Sequence, residues 1–413
     1  MANTPLAVLD LVPVASGSTP ADALRNSVDL AQQAERLGYR RYWVAEHHLN
    51  PGVAGTSPAV VIALLAGATD RIRLGSGAVQ MGHRTALSVV EEFGLLDQVY
   101  PGRLDLGLGR SSGRPMPRPP VDDPAASAAL GGGGAPGSPA LVGAGAPPPS
   151  ASPTTARNGN AGATTDSIRH AATGLKIPKR FSMEKLLGSP RFAMQKRLLT
   201  LPEAKPQNYT EQVDDVLALL AGTYRSPEGA DAHVVPGEGA ALELWILGSS
   251  GGESATVAGH RGLRFAANYH VSPATVLEAV DGYRAAFHPS SVLDRPYVSV
   301  SADVVVADTA EQARELAAGY GRWVHSIRCG AGAVPFPTPD EAHAQPLTDE
   351  ELALVIDRLE TQFVGSPVQV ADQLEQLRAA TDADELIVTT ITHDHADRVR
   401  SYQLLAEEWQ RRA

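Results

Sequence analysis

Short apolar runs alternate along this chain with longer stretches whose apolar positions recur every three to four residues, a pattern of strands followed by amphipathic helices. Residues 6–11 read as a first strand. Ser18-Thr19-Pro20 then offers a cap and a first-turn proline for a helix that ends near Leu37, closed by Gly38. Residues 41–45 form a second strand, and a helix follows from Ser57-Pro58 to Thr69. A third strand at 72–79 leads into a helix over 85–100, and a fourth strand spans 104–108. Four strand–helix units in a row predict parallel strands joined by right-handed crossovers.

Between residues 111 and 170 the pattern gives way to Ala, Gly, Pro, Ser and Thr, including Gly131 to Gly134 and Pro147-Pro148-Pro149. Such a composition buries too little apolar surface to offset the entropy of ordering it, so 111–175 is expected to be a disordered insertion. Residues 176–205 carry Phe181, Met183, Leu186, Leu187, Phe192 and Met194 among basic residues and read as a possible lid. The alternation then resumes. A helix is expected at 209–221, strands at 242–247, 263–267 and 298–307, and helices at 252–261, 273–287 and 309–325. A Gly/Pro-rich loop covers 330–349, and the chain closes with a helix at 367–381, a strand at 385–390 and a helix at 396–411. Four strands before the insertion and four after it predict one α/β domain over 1–413, a (β/α)8 TIM barrel.

Composition narrows the function classes. A net charge of −11 without a Lys/Arg cluster argues against nucleic-acid binding. The single cysteine, Cys329, excludes a disulfide framework and a cysteine-type zinc site. The first residues lack the basic and apolar stretches of a signal peptide, and no apolar run is long enough to span a membrane. A cytoplasmic protein is expected.

Three clusters fall at carboxyl ends of predicted strands, where such barrels keep their chemistry. Tyr42-Trp43-Val44-Ala45 runs into Glu46-His47-His48 and then a Gly/Pro loop. Histidine titrates near neutral pH, so a pair placed there could move protons or bind an anion or metal; solvated loop histidines are the ordinary alternative. The fourth strand ends in Gly109-Arg110. The fifth ends in Gly248-Ser249-Ser250-Gly251-Gly252-Glu253-Ser254, ahead of a helix, where glycines, hydroxyls and a helix amino terminus suit a phosphate. A plain Gly/Ser helix cap explains that loop equally well. Leu74-Gly75-Ser76-Gly77-Ala78-Val79 carries glycines inside a strand, which marks either tight barrel packing or a ligand against the backbone. His393 and His395 follow the last strand and could join His47 and His48 in a metal-dependent hydrolase. Convergent carboxylates are missing from that set, and Asp394 and Asp397 more simply begin the final helix, so no metal is expected.

Taken together, Trp43-Val44-Ala45-Glu46-His47-His48, Arg71-Ile72-Arg73-Leu74-Gly75-Ser76-Gly77, Tyr100-Pro101-Gly102-Arg103-Leu104-Asp105-Leu106-Gly107-Leu108-Gly109-Arg110, Trp245-Ile246-Leu247-Gly248-Ser249-Ser250 and Phe363-Val364-Gly365-Ser366-Pro367 resemble the bacterial luciferase-like flavin monooxygenases. The resemblance implies a luciferase-like (β/α)8 barrel that binds reduced FMN or, in one branch, the deazaflavin F420. It implies that Arg110, Gly248, Ser249, Ser250 and Ser254 hold the cofactor phosphate. It places a non-prolyl cis peptide at Gly77-Ala78 beneath the flavin ring. By the same resemblance His47 is the base near the flavin, Glu46 orients it or the adjacent backbone, and His48, His83 and His270 line the substrate pocket. The implied reaction is a monooxygenation in which reduced FMN, delivered by a separate NAD(P)H:flavin reductase, and O2 form a C4a-peroxyflavin that oxidises a small organic substrate. No dinucleotide Gly-X-Gly-X-X-Gly fingerprint follows the first strand, in keeping with an external reductant. F420-dependent hydride transfer and a non-catalytic flavin-binding protein are the alternatives, and a homodimer is expected. Two departures stand out. Gly82-His83-Arg84-Thr85-Ala86 replaces the usual Asn-His-Ala-Pro-like stretch, and the loop after the fourth strand is unusually long.

Overall fold

A computed structural model describes residues 4–110 and 168–413. The expected disorder of 111–175 therefore lies largely outside the described residues. Eight parallel strands close on themselves. In chain order they are β1 (Leu6–Asp10), β2 (Arg41–Val44), β3 (Arg73–Ser76), β5 (Leu104–Gly109), β8 (Glu243–Gly248), β9 (Arg264–Asn268), β10 (Val298–Val306) and β12 (Glu385–Thr389). Each pairs with the next in register, and β12 returns to β1 through Leu6↔Leu386 and Val8↔Val388. The short strands β4 (Val79–Gln80) and β11 (Phe363–Gly365) extend the rims of β5 and β10, and β6 (Arg169–His170) with β7 (Lys176–Ile177) forms a separate hairpin. The ring is the (β/α)8 barrel expected.

Local chemistry sets the element ends. Thr19 and Asp22 form a reciprocal capping box ahead of Pro20, and the helix Pro20–Arg36 stops before Gly38, whose φ of 81° few other residues adopt. The third strand, expected as one run, is divided: β3 and β4 flank Gly77-Ala78, whose peptide bond is cis. The expected helix at 309–325 is also divided, into Ala310–Leu316 and Tyr320–Arg328 on either side of Gly319. A Cβ at Gly319 would press on Phe336 and Pro337, so the chain turns there under close packing. The loop expected at 330–349 holds a helix, Pro339–Ala344. The helix Asp349–Thr361 and strand β11 were not foreseen; each of these two helices starts at a Thr-X-X-Glu capping box, at Thr338 and Thr348.

The amino-terminal ends of the strands are sealed by charge. The fully buried Arg41 guanidinium meets Asp105 at 2.6 Å, Glu385 at 2.6 Å and Glu243 at 3.2 Å, and stacks on Trp245 at 4.8 Å. Arg73 adds a second cation to Asp105. Three carboxylates held by two guanidiniums satisfy most of the donors and acceptors that this layer removes from water. The opposite, carboxyl-terminal ends are left for an open cavity.

Candidate active site at the carboxyl ends of the strands

A cavity of about 150 Å³ opens at this end, walled by residues from seven of the eight barrel strands or the turns that follow them. Leu9, Leu11, Trp43, Ala45, Leu247, Ala266 and Ile387 make it apolar, and His47, Asn268, His270 and Ser301 give it four polar groups. Gly77 lines it as well; a Cβ there would approach Leu9 Cδ1 to 2.7 Å. Gly75 does not line it, and a Cβ on Gly75 would sit 2.6 Å from Asp105. Packing therefore accounts for both glycines, and the second also borders the cavity.

His47 enters because β2 ends at Val44 and its backbone N–H is captured by Gly55 O at 2.7 Å. Its Nδ1 is buried and has no hydrogen-bond partner among the described residues. Burial, reinforced by His48 and opposed by Glu46, pushes the imidazole pKa down to about 4, so the ring is neutral at pH 7. Glu46 does not bond His47. Its buried carboxylate accepts from His48 Nε2 (2.8 Å), His83 Nε2 (2.9 Å) and the Gln80 backbone N–H (2.9 Å), with Arg84 Nε at 3.6 Å. Burial opposes ionisation of this carboxyl, but those donors outweigh it and bring the pKa to about 2. Gln80 returns a bond from its side chain to Glu46 O. Glu46 thus ties the turn after β2 to the segment after β3 through Gln80 and His83, with Arg84, a departure from the expected motif, beside them.

Of the three histidines expected around the substrate, His270 lines the cavity, whereas His48 and His83 belong to the Glu46 cluster, their rings edge to face at 5.1 Å. Glu46, His48 and His83 also present three atoms close enough to share a cation. The Arg84 guanidinium beside them works against that occupant, and the hydrogen bonds already account for the cluster. His393 and His395 do not reach His47: His393 bonds Ser16 O, His395 pairs with Asp29, and Asp394 caps the final helix.

The phosphate candidates meet next door. Gly109 pairs with Leu247, so Arg110 and Gly248 leave adjacent strands side by side. The helix Glu253–His260 begins at Gly252 with no side-chain cap, so among the described residues its first N–H groups stay open to an anion. Arg110 is half exposed and pairs with Glu253 at 2.8 Å, and Glu278 accepts from Gly251 N at 3.3 Å. Ser250 and Ser254 are half-buried and Ser249 is exposed, its carbonyl bonded by Thr275.

The segment expected as a lid is a hairpin and two helices, Glu184–Leu187 and Pro190–Leu199, seated on the rim. Arg191 donates to Asn50 Oδ1 at 2.8 Å and to the carbonyls of His48 and Leu49. Tyr269 donates to Lys176 O at 2.7 Å, and Phe181 lies under the Arg328 guanidinium at 3.9 Å. Sequence reading missed Arg191, Asn268 and Ser301. A lone Arg, Asn or Ser carries no motif, and only the tertiary fold brings them to the site.

With this geometry in hand, comparison with known proteins is direct. The profile of the luciferase-like monooxygenases matches residues 5–128 and 208–384, and the chain belongs to that family. It is 34% identical over 414 residues to the uncharacterised YvbT of Bacillus subtilis, covering 99% of this chain and 98% of that one. It is 30% identical over 399 residues to a luciferase-like monooxygenase of Escherichia coli, covering 96% and 94%. Among solved structures, apo-MsnO8 superposes with a TM-score of 0.70 at 29% identity, covering 98% of each chain. The fold is shared with the FMN-bound oxygenating constituent of 3,6-diketocamphane monooxygenase from Pseudomonas putida (TM-score 0.58, 17% identity, 98% of each chain). It is shared too with an F420-dependent secondary alcohol dehydrogenase (TM-score 0.54, 14% identity, 98% of this chain and 99% of that one).

Proposed function

We propose that this chain is a flavin-dependent monooxygenase that receives reduced FMN from a separate NAD(P)H:flavin reductase and uses O2 to oxidise a small organic substrate. The observation that carries the reading is the adjacency of two half-sites: an apolar cavity with an orphaned, neutral His47, and an uncapped helix start with Arg110 beside it. A flavin mononucleotide needs both, a flat apolar bed for its ring and an anion site for its phosphate. Arg110, Gly248, Ser249, Ser250 and Ser254 would hold the phosphate, and Gly77, Ala78, Leu9 and Trp43 would bed the ring. Bound reduced flavin supplies the electrons that activate oxygen. The protein's own share is to exclude water with its aliphatic walls, keep the ring in place, and hold or take a proton at His47. Glu46 is a positioning residue that fixes the two segments flanking Gly77 and His47.

The electrostatics of the phosphate half-site favour FMN over F420. Arg110 is already paired with Glu253, and Glu278 stands on the same loop. One phosphate can displace Glu253 from the guanidinium, but the further carboxylates of an F420 tail would meet acids at the mouth. Titrating the purified protein with each cofactor and following fluorescence quenching tests this. FMN should bind at least tenfold more tightly, and the reverse order would replace the proposed cofactor. Oxygen uptake that needs reduced FMN, a reductase and an organic substrate separates an oxygenase from a flavin carrier.

A homodimer is also proposed. Of the apolar residues on helices Pro58–Ala66 and Ala86–Val99, Val61, Leu65, Val89, Val90, Phe93 and Leu96 are buried in the barrel. Val60, Leu64, Leu87, Leu95 and Val99 remain exposed on the same two helices, a face suited to a second copy. Sedimentation of the wild type against a Leu64→Glu, Leu95→Glu variant tests it; a wild-type monomer would rule it out.

A further inference from the structure

His47 and His270 stand at opposite points of the ring. Three strands separate β2 from β9 in either direction, and both side chains line the same cavity. His270 is the better fixed of the two. Its backbone N–H donates to Ser301 O at 3.1 Å, and its Nδ1 lies 2.6 Å from Ser301 Oγ. That separation is short for an N–H donor and suits a donating hydroxyl. The other acceptor within reach of the Ser301 hydroxyl, Ala267 O, is 3.5 Å away. Ser301 therefore donates to Nδ1, which places the ring proton on Nε2. Among the described residues Nε2 has no partner.

The surroundings keep this N–H neutral. Burial pushes the His270 pKa down to about 4; Asp303 opposes the shift, while Arg358 and His47 add to it. Among the described residues the cavity wall contains no carboxylate, ammonium or guanidinium; Leu11, Ala266, Val271 and Ile387 are among the neighbours a ligand would meet. A charged ligand group would lose its hydration there without a counter-ion. A neutral one with an acceptor oxygen would gain the Nε2–H of His270, the cavity donor whose proton position its partner fixes.

We propose that His270, oriented by Ser301, donates through Nε2 to the carbonyl oxygen of an uncharged organic substrate, and that this contact sets the substrate class as ketones, esters or amides. The inference rests on reading the cavity as the place where substrate is oxidised. Ser301 acts through His270 and is a positioning residue.

The test pairs cyclohexanone with methylenecyclohexane, which keeps the shape and lacks the acceptor. Both are titrated by calorimetry into the full-length protein, alone and with FMN. The ketone should bind about five- to tenfold more tightly to the wild type, the worth of one net hydrogen bond. The preference should fall below twofold in His270→Phe and lie between in Ser301→Ala, which removes only a hydroxyl and keeps the test open should the first variant fail to fold. Equal binding of the two probes, no ketone binding, or a preference that survives either substitution undiminished would overturn the proposal. FMN affinity, followed separately by fluorescence, should be unchanged in both variants. Failure of the wild type to bind FMN while it still prefers the ketone would overturn the cofactor reading and leave this one standing.

Discussion

Replacing His47 by alanine should change how stability depends on pH, and the size of the change follows from the site. The native imidazole has a pKa of about 4 because burial strips its cation of water and His48 adds to the effect. In the unfolded chain the same group titrates near 6.5, at roughly the model-peptide value. Between those values the unfolded state binds a proton that the native state refuses. Wild-type stability is therefore whole above about pH 6.5, at roughly the unfolded pKa, and falls as pH drops towards the native one. At pH 5 the loss from this single group is about 2 kcal/mol relative to pH 8. The His47→Ala variant escapes that loss, so its stability relative to the wild type should rise by about 2 kcal/mol between pH 8 and pH 5. Urea unfolding of both proteins at the two pH values measures it. Some acid sensitivity should persist in the variant, since His270 is depressed in the same direction. Parallel pH profiles would refute the claim that His47 is held neutral by desolvation, and with it the view of this ring as a proton acceptor at neutral pH.

Other expectations are simpler to state. Arg110→Ala should weaken FMN binding by roughly tenfold or more, the loss of one charge-assisted contact, and Glu253→Gln should tighten it a few-fold by releasing the guanidinium; fluorescence titration reads both. Glu46→Gln turns an acceptor shared by two imidazoles and a backbone N–H into an amide, and should cost about 1–3 kcal/mol in urea unfolding while altering the His48 and His83 imidazole resonances by NMR. Arg41→Met leaves three buried or half-buried carboxylates short of a cation and should cost about 3–5 kcal/mol; an unchanged urea midpoint would contradict the network.

The barrel was legible because its strands are short apolar runs bounded by strong helix signals such as Thr19-Pro20 and Gly38. Tyr320–Arg328 and Asp349–Thr361 were harder to place. The first merges in sequence with the helix before it, since only packing of Phe336 and Pro337 against Gly319 breaks the run. The second begins in a stretch rich in Asp and Glu that masks its apolar face, although the Thr348-X-X-Glu351 cap marks its start. The site divides the same way. His47, Gly77 and Arg110 sit at strand ends that periodicity locates. The partners of Glu46 do not, because a carboxylate beside two histidines in sequence could serve either, and the fold alone directs it to His48, His83 and Gln80. Ser301 and Asn268 carry no local signal at all.

The buried cluster around Arg41 has a bearing on how such a protein can diversify. Its members open β2, β3, β8, β9 and β12, whereas the residues that would meet a cofactor or substrate lie near or beyond the carboxyl ends of the barrel strands. Anchorage and chemistry are therefore written into opposite tips of each staple. Loops at the working rim are free to be rewritten for new substrates, because the ionic plug that keeps the staves together lies a full strand's length away.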